Sequence, residues 1–162
     1  MLQKIRDLKK SRRGFTLVEI IVVLVILAIL AAFTIPAMLG FVNDARGKAY
    51  IASARECYIA AQSASTEVAA ANSGTLKAND TTQQGNISSK IVNQVTNDIT
   101  GVEVSTVIGA TTATDPNKAN NVGVAVSTDG TVKQVIYCSP DNKYKITITP
   151  NQGGSSADIT KR

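Results

Sequence analysis

The chain has 162 residues and a formal net charge of +5, but the excess of bases is confined to its first fourteen residues. Those residues hold six bases and one acid, whereas the remaining 148 residues carry eleven bases and eleven acids. A nucleic-acid-binding domain needs clustered bases on its folded part, so the neutral remainder argues against one. Histidine is absent and the two cysteines lack metal-ligand spacing, so we expect no metal, no cofactor and no enzyme.

The first 43 residues divide into a basic leader, residues 1–14, and an apolar segment, residues 15–43. Every side chain from residue 20 to residue 33 is apolar, so a helix here would have no polar face. Such a helix is buried in lipid or in a protein core, and about 20 residues cross a bilayer. Bases beside a membrane segment stay cytoplasmic, which predicts a single-pass membrane protein with a cytoplasmic N-terminus.

Glu19 is the only ionisable side chain between residues 15 and 43. A charged side chain at the centre of a membrane helix costs roughly 2.5–3.5 kcal/mol on insertion scales. Ionisable residues in such segments generally pair with another group and mark functional positions. Glu19 is therefore the first candidate for a functional residue.

Pro36 and Gly40 interrupt the apolar segment. A proline inside a helix removes one backbone hydrogen bond and clashes with the preceding turn. We expect a kink or a locally melted stretch over residues 34–40, because helical patterning resumes directly afterwards. The alternative is that the helix ends here and a short linker follows.

The remaining residues, 44–162, are predicted to form one globular domain that begins with an amphipathic helix over 44–72. Apolar and small side chains recur there at intervals of three and four, which predicts one buried face. The stripe consists of Ile51, Ala54, Tyr58, Ala61, Ser65 and Val68, with Cys57 beside it. Asn72-Ser73-Gly74 supplies the stop signal.

Beyond this helix, residues 73–100 form a polar loop with one short helical candidate over 87–96. Alternating side chains then predict a small antiparallel sheet over about 101–149. Its strands are 122–126, 132–138 and 144–149, a three-stranded meander joined by 102–108. Val132, Gln134, Ile136 and Cys138 are expected on one strand face, covered by the 44–72 helix. The tail, 151–162, is expected to be loose.

Two ordinary explanations exist for the N-terminal pattern: a secretory signal peptide and a plain membrane anchor. A signal peptide has a small-x-small cleavage site after its apolar core, and no Ala-x-Ala immediately follows the core here. A plain anchor does not explain the glycine before the segment together with the acid inside it. The stretch Arg12-Arg13-Gly14-Phe15-Thr16-Leu17-Val18-Glu19 instead resembles the start of type IV pilins and their pseudopilin relatives.

This resemblance implies that a prepilin peptidase cuts between Gly14 and Phe15 and methylates the new N-terminus at Phe15. Glu19 would then pair with an amine, either that of its own chain or that of a neighbouring subunit. The family favours the neighbour, and the pair would set the register of subunits in a fibre. Pro36 matches the proline typical of these helices. The fold implied is α+β and type IV pilin-like, a long N-terminal α-helix packed on a small antiparallel β-sheet.

The function implied is that of a structural subunit of a type IV pilus, for adhesion, twitching movement or aggregation. The subunit would wait in the membrane and end in an extracellular fibre. Its partners would be copies of itself, the peptidase, the inner-membrane assembly platform, membrane lipid and a cytoplasmic ATPase. No phosphate-binding loop is present, so the chain would be the cargo of that motor. A pseudopilin of a secretion or DNA-uptake apparatus and a minor pilin are the alternatives.

Cys57 and Cys138 are the only cysteines and therefore the only possible disulfide within the chain. Export to an oxidising exterior would permit the bond. The alternative is two buried thiols, which pack as small apolar side chains. Many relatives close a loop near the C-terminus with a disulfide, and this chain has no second cysteine near Cys138 to do so.

Overall fold

The computed structural model describes residues 14–150 and 157–162 and divides into two compact units, Met1–Asp44 and Ala45–Arg162. The leader, except for Gly14, and residues 151–156 of the tail lie outside the described residues. Two helices are present in the described part: α1 (Leu17–Ala71) and α2 (Thr81–Val95). The strands are β1 (Val104–Ile108), β2 (Val122–Val126), β3 (Val132–Cys138), β4 (Tyr144–Ile148) and β5 (Ala157–Lys161).

The part of α1 within the second unit buries one face of small side chains, which confirms the predicted amphipathic helix. Its buried residues are Ala54, Cys57, Ala60, Ala61, Ala64, Ser65, Val68 and Ala69. Short side chains let the sheet approach the helix backbone closely. Ile51 and Tyr58, also in the predicted stripe, are half-buried against the same core.

Helix α2 begins at Thr81, six residues before the predicted start. Its N-cap is Asp80, whose carboxylate accepts hydrogen bonds from the backbone nitrogens of Thr82 and Gln83 at 3.0 and 3.1 Å. This cap satisfies helix-end donors that would otherwise be unpaired. Ile87, Ile91 and Val95, spaced four residues apart, are fully buried in the same core as α1.

The five strands form one sheet in the order β1-β2-β3-β4-β5. Strands β2 to β5 are antiparallel neighbours, so the predicted meander is confirmed, and β1 joins it as a parallel partner of β2. The expectation of a loose tail is wrong for residues 157–161, because β5 pairs with β4 over five residues. The fold is therefore α+β, as predicted.

A β-bulge in β3 decides which of its side chains face the helices. Val124 pairs with Val135, but Val126 pairs with Val132, so β3 has one extra residue between these pairs. An extra residue reverses the alternation of side chains along the strand. Consequently Val132, Val135 and Tyr137 all lie in the core beside α1.

The predicted grouping of Val132, Gln134, Ile136 and Cys138 on one strand face is therefore wrong. Only Val132 joins the core cluster on the helix side, because the bulge separates it from the other three. Gln134 accepts a hydrogen bond from the backbone nitrogen of Ala113 at 2.9 Å. The thiol of Cys138 donates to the carbonyl oxygen of Pro116 at 3.1 Å.

The second face of β2 and β3 is covered by the crossover that joins β1 to β2, residues 109–121. A Cβ atom added at Gly123 would lie 2.0 Å from the carbonyl oxygen of Thr114, so the crossover touches the sheet backbone itself. Pro116 in the crossover is buried, as are Ile136 and Cys138 beneath it. Both faces of β3 are thus covered, one by helices and one by this crossover.

Candidate functional site

Gly14, Phe15 and Thr16 lie immediately before α1 and are all exposed. A Cβ atom at Gly14 would meet no atom within 4 Å, and Phe15 is 83% exposed. The peptide bond that joins Gly14 to Phe15 is therefore in non-helical, accessible chain. Proteolytic cleavage needs such chain, because a helix holds its peptide bonds in internal hydrogen bonds.

Glu19 is held in a capping box at the start of α1. Its Oε2 accepts hydrogen bonds from the backbone nitrogen of Thr16 at 2.8 Å and from the Thr16 hydroxyl at 2.7 Å. In return, the backbone nitrogen of Glu19 donates to Thr16 Oγ1 at 3.3 Å. This reciprocal arrangement fixes the first turn of the helix and orients the carboxylate.

Thr16 is a site residue that the sequence reasoning missed. The signal was present, because Thr16-Leu17-Val18-Glu19 places a threonine three residues before an acid at the start of an apolar run. Glu19 is conspicuous by its charge, whereas the capping role of Thr16 is visible only in the spacing of the two residues. The carboxylate is consequently not a lone charge, since one oxygen is bonded within its own helix end.

The other carboxylate oxygen of Glu19, Oε1, is not part of the helix cap. In the described part of the chain, Oε1 takes part in no hydrogen bond or ion pair. Among the same residues, the backbone nitrogen of Phe15, which here still belongs to the peptide bond with Gly14, makes no hydrogen bond to either oxygen. Glu19 thus presents one engaged oxygen and one oxygen open to a further donor.

From Leu17 onward, the first unit exposes apolar side chains in every direction. Each large hydrophobic side chain from Phe15 to Val42 is at least 43% exposed. An 18-residue window of α1 has a mean hydropathy of 3.0, and by length and composition the helix suffices to cross a membrane. The described residues of this unit bury none of that surface. Lipid or another protein therefore has to cover it.

Pro36 and Gly40 are both helical, because α1 is continuous from Leu17 to Ala71. The expected melted stretch is therefore not present in this structure, and a bend at Pro36 remains a prediction. The hydroxyl of Thr34 donates to the carbonyl oxygens of Leu30 and Ala31 at 3.1 and 3.4 Å. Threonine hydroxyls within helices commonly make such bonds to carbonyls of the preceding turn.

The two cysteines are free thiols in this structure, and both are buried. Cys57, on the buried face of α1, lies in the core, whereas Cys138 is under the crossover on the opposite face of the sheet. The premise for a disulfide, that Cys138 faces the helix, is thus wrong. Burial, helped by the charge of Glu56, raises the pKa of Cys57 to about 12, and burial also raises the pKa of Cys138.

A group of three charged side chains lies at the edge of the crossover. Asp115 pairs with Lys145 at 2.8 Å and with Arg162 at 2.9 Å. The hydrogen bond from Lys145 is the main reason that the pKa of Asp115 lies below its ordinary value. Across residues 14–150 and 157–162, no three His, Cys, Asp or Glu side chains are placed to hold a metal ion.

Comparison with known proteins gives one match. The profile of a family described as the prokaryotic N-terminal methylation motif matches residues 9–35. No curated protein and no solved structure matches the chain. The matched residues include Gly14, Phe15, Thr16 and Glu19, the groups whose geometry is given above. Residues 9–35 therefore carry the signature of the type IV pilin and pseudopilin family, and the long N-terminal helix with its five-stranded, mostly antiparallel sheet is consistent with the pilin fold.

Proposed function

We propose that this chain is the precursor of a type IV pilus subunit, which is cleaved between Gly14 and Phe15, N-methylated at Phe15 and polymerised through α1. The proposal depends mainly on one observation. Glu19 stands at the start of an exposed apolar helix with one carboxylate oxygen in the helix cap and the other without a hydrogen bond or ion pair among the residues that the structure describes. That arrangement supports pairing with a cation supplied from outside the helix.

Cleavage would supply the cation. Removal of the leader converts the amide nitrogen of Phe15 into an amine, and methylation keeps that amine able to carry a charge. In apolar surroundings a carboxylate needs a partner, because an uncompensated buried charge costs several kcal/mol. The Thr16 cap holds the first oxygen of Glu19 within its own chain, so the second oxygen suits the amine of a neighbouring subunit.

The apolar surface of the first unit would provide the cohesion of the fibre. In a bilayer, lipid tails cover this surface as well as protein does, so burial of apolar surface alone does not drive the subunit out of the membrane. Extraction therefore requires an energy source, for which a cytoplasmic ATPase acting through a membrane platform is the partner implied. Once in water, each Val, Leu or Ile side chain gains about 1.5–3 kcal/mol when another subunit buries it fully.

The test separates the charge of Glu19 from its capping role. The full-length chain and its variants would be co-expressed with a prepilin peptidase, the assembly platform and the ATPase. Mass spectrometry would show N-terminal processing, and sheared surface fibres would be quantified. Glu19→Gln keeps an oxygen that accepts from Thr16 but lacks the charge, whereas Thr16→Ala keeps the charge but lacks the hydroxyl.

We expect all variants to be trimmed to an N-methylated Phe15. We expect Glu19→Gln and Glu19→Ala to lose most fibres and Thr16→Ala to retain them. Fibres from Glu19→Gln at the wild-type level, with loss in Thr16→Ala, would show that Glu19 serves the cap and would refute the pairing role. An intact Met1 terminus in assembled wild-type material would refute the processing step.

The same experiment addresses the pseudopilin alternative. A pilus subunit should yield long fibres that are released by shearing. Short polymers that stay within the cell envelope would instead assign the chain to a secretion or uptake apparatus, with the role of Glu19 unchanged.

A further inference from the structure

We propose that the crossover opens away from the sheet as a local unit and that Arg162 is the latch that keeps it closed. Opening would uncover the second face of β2 and β3, with Cys138 beneath it, while the core on the helix side stays packed. The inference concerns contacts within the second unit, so it depends neither on the membrane span nor on polymerisation.

Backbone hydrogen bonds join the crossover to the sheet at its two ends. At the first end, the backbone nitrogen of Gly109 donates to the carbonyl oxygen of Val126 at 2.7 Å. At the other end, the backbone nitrogen of Asn120 donates to the carbonyl oxygen of Cys138 at 3.1 Å. Within the part of the chain that the structure describes, residues 110–119 form no backbone-to-backbone hydrogen bond with the sheet. Side chains therefore have to hold the middle of the crossover in place.

Apolar burial contributes little to holding this middle segment. Residues 110–119 are alanine, threonine, asparagine, aspartate, lysine and one proline, and only Pro116 among them is buried. Segments with few buried apolar contacts are the least stable parts of a fold and can open without global unfolding. The composition of the crossover therefore favours local opening unless polar contacts oppose it.

Arg162, which directly follows β5, joins the middle of the crossover to the turn between β3 and β4. Its guanidinium donates to Oδ1 of Asp115 at 2.9 Å and also to the carbonyl oxygen of Pro116. The same guanidinium donates to Oδ1 of Asn142 at 3.1 Å, and the backbone nitrogen of Arg162 donates to the carbonyl oxygen of Lys143 at 2.9 Å. One residue thus ties the segment that lacks backbone hydrogen bonds to a turn of the sheet.

The pairing of β5 with β4 positions the latch. Lys161 pairs with Tyr144, the first residue of β4, so Arg162 follows at the end of the sheet where the β3–β4 turn lies. Its side chain is only 25% exposed, and Lys145 adds a second ion pair to Asp115 at 2.8 Å. Partial shielding from water and a shared acid make these pairs stronger than isolated surface pairs.

Cys138 lies directly beneath the latched segment and can report its opening. Its thiol donates to the carbonyl oxygen of Pro116 at 3.1 Å, the same oxygen that accepts a hydrogen bond from Arg162. Cys138 is fully buried, so a reagent reaches it only after the crossover lifts. Cys57 is equally buried but belongs to the core on the helix side. The two thiols therefore report separately on the two faces of the sheet.

The test measures alkylation of both thiols in the folded, full-length chain in micelles, by peptide mass spectrometry after timed iodoacetamide treatment. The variant R162A removes the latch. The matched variant K161A makes the same change in net charge one residue earlier, at an exposed lysine with no ion pair among residues 14–150 and 157–162. The charge of Arg162 lowers the pKa of Cys138, so its loss alone would slow the reaction, and only opening accounts for a faster one.

In the wild-type chain we expect Cys138 to react at least about tenfold faster than Cys57, because local opening is easier than opening of the core. R162A should accelerate Cys138 about fivefold or more and leave Cys57 within about twofold of its wild-type rate, as expected for the loss of partly shielded polar contacts. K161A should change neither rate. Equal acceleration of both thiols in R162A, no acceleration of Cys138, or the same acceleration in K161A would overturn the inference.

Discussion

The two units of this chain treat apolar side chains in opposite ways. Residues 15–42 display theirs to the surroundings on all sides, while the described part of residues 45–162 buries most of its apolar side chains in a core shared by α1, α2 and the sheet. A single helix, α1, contributes to both units, and its residue pattern changes from apolar all round to one buried stripe. The first unit therefore needs lipid or another protein to cover its apolar surface, whereas the second unit is stabilised by the packing of its own core.

The difference explains why small residues dominate the buried face of α1 in the second unit, whereas large apolar residues dominate the first unit. In the second unit, alanines on α1 allow close approach of the sheet, and Gly130 packs with its carbonyl oxygen 2.8 Å from the Ser65 hydroxyl. In the first unit, Ile, Leu, Val and Phe maximise surface that lipid or another subunit can cover. Substitutions should accordingly affect folding in one unit and assembly in the other.

The largest expected effect comes from Gly123→Ala, which should break the second unit and leave the first intact. The added methyl would lie 2.0 Å from the Thr114 carbonyl, so the crossover must move away from the sheet. We expect a loss of about 3 kcal/mol or more in the free energy of unfolding, as for severe overpacking. Urea unfolding of the full-length chain in micelles, followed by tyrosine near-ultraviolet circular dichroism, measures it.

Gly85→Ala is the matched control for this substitution. Gly85 lies within α2, and a methyl group there would meet no atom within 4 Å. Alanine should stabilise the unit by about 0.5–1 kcal/mol, because glycine is a poor helix former. Similar effects of the two substitutions would contradict the close contact of the crossover with the sheet.

A second prediction concerns how well the core of the second unit protects the Cys57 thiol from a reagent in solution. With the pKa of Cys57 raised to about 12 by burial, almost none of this thiol is ionised at pH 8. We expect its alkylation in the folded chain to be at least about a thousandfold slower than in the unfolded chain. Peptide mass spectrometry after timed iodoacetamide treatment gives the rate.

The same reaction checks the state of the cysteines. In denaturant without reductant, two alkyl groups per chain should be added, because Cys57 and Cys138 are free thiols. A chain that accepts none under these conditions holds a disulfide, and the placement of the two cysteines on opposite faces of the sheet would then be wrong.

The smallest expected effect is at Asp115, where ion pairs join the crossover to β4 and the C-terminal residue. Because the pKa of Asp115 is lowered, chiefly by Lys145, its contribution is present above its ordinary pKa of 3.8 and is lost as the pH falls through the lower folded pKa. Asp115→Asn should cost about 0.2–1 kcal/mol at pH 7.

Unfolding measured between pH 2 and pH 7 tests this assignment. We expect Asp115→Asn to show a weaker loss of stability below about pH 4 than the wild-type chain. Asp158→Asn, which removes a carboxylate with no ion pair among residues 14–150 and 157–162, is the control. If Asp158→Asn reproduces the effect, net charge and not the Asp115 pairs accounts for it.

Much of the architecture could be predicted from local pattern. The apolar run, the buried stripe of α1 and strands β2, β3 and β4 follow from periodicity and turn signals. Strand β5 could not be predicted in this way, because Ala157–Lys161 has one large apolar residue and becomes a strand only by pairing with the edge of β4. The bulge in β3 also depends on its partner, since the register shift exists only between two strands.

Most residues of the candidate site could be named from the sequence, but their hydrogen bonds and surroundings could not all be predicted. The positions of Gly14, Phe15 and Glu19 are conspicuous in the sequence because one acid interrupts an apolar run. The Thr16 cap was also encoded locally and was overlooked. The placement of Cys138 could not be deduced, since it follows from the bulge and from a crossover whose path over the sheet has no periodic signal.

The most direct test of the account is a cryo-electron microscopy reconstruction of sheared fibres made by the wild-type chain. We predict that residues 15–33 of many copies pack together in the interior, with the Glu19 carboxylate within about 4 Å of the methylated Phe15 nitrogen of another copy. Fibres whose copies contact each other only through residues 45–162, with the apolar helices left in lipid or water, would contradict it.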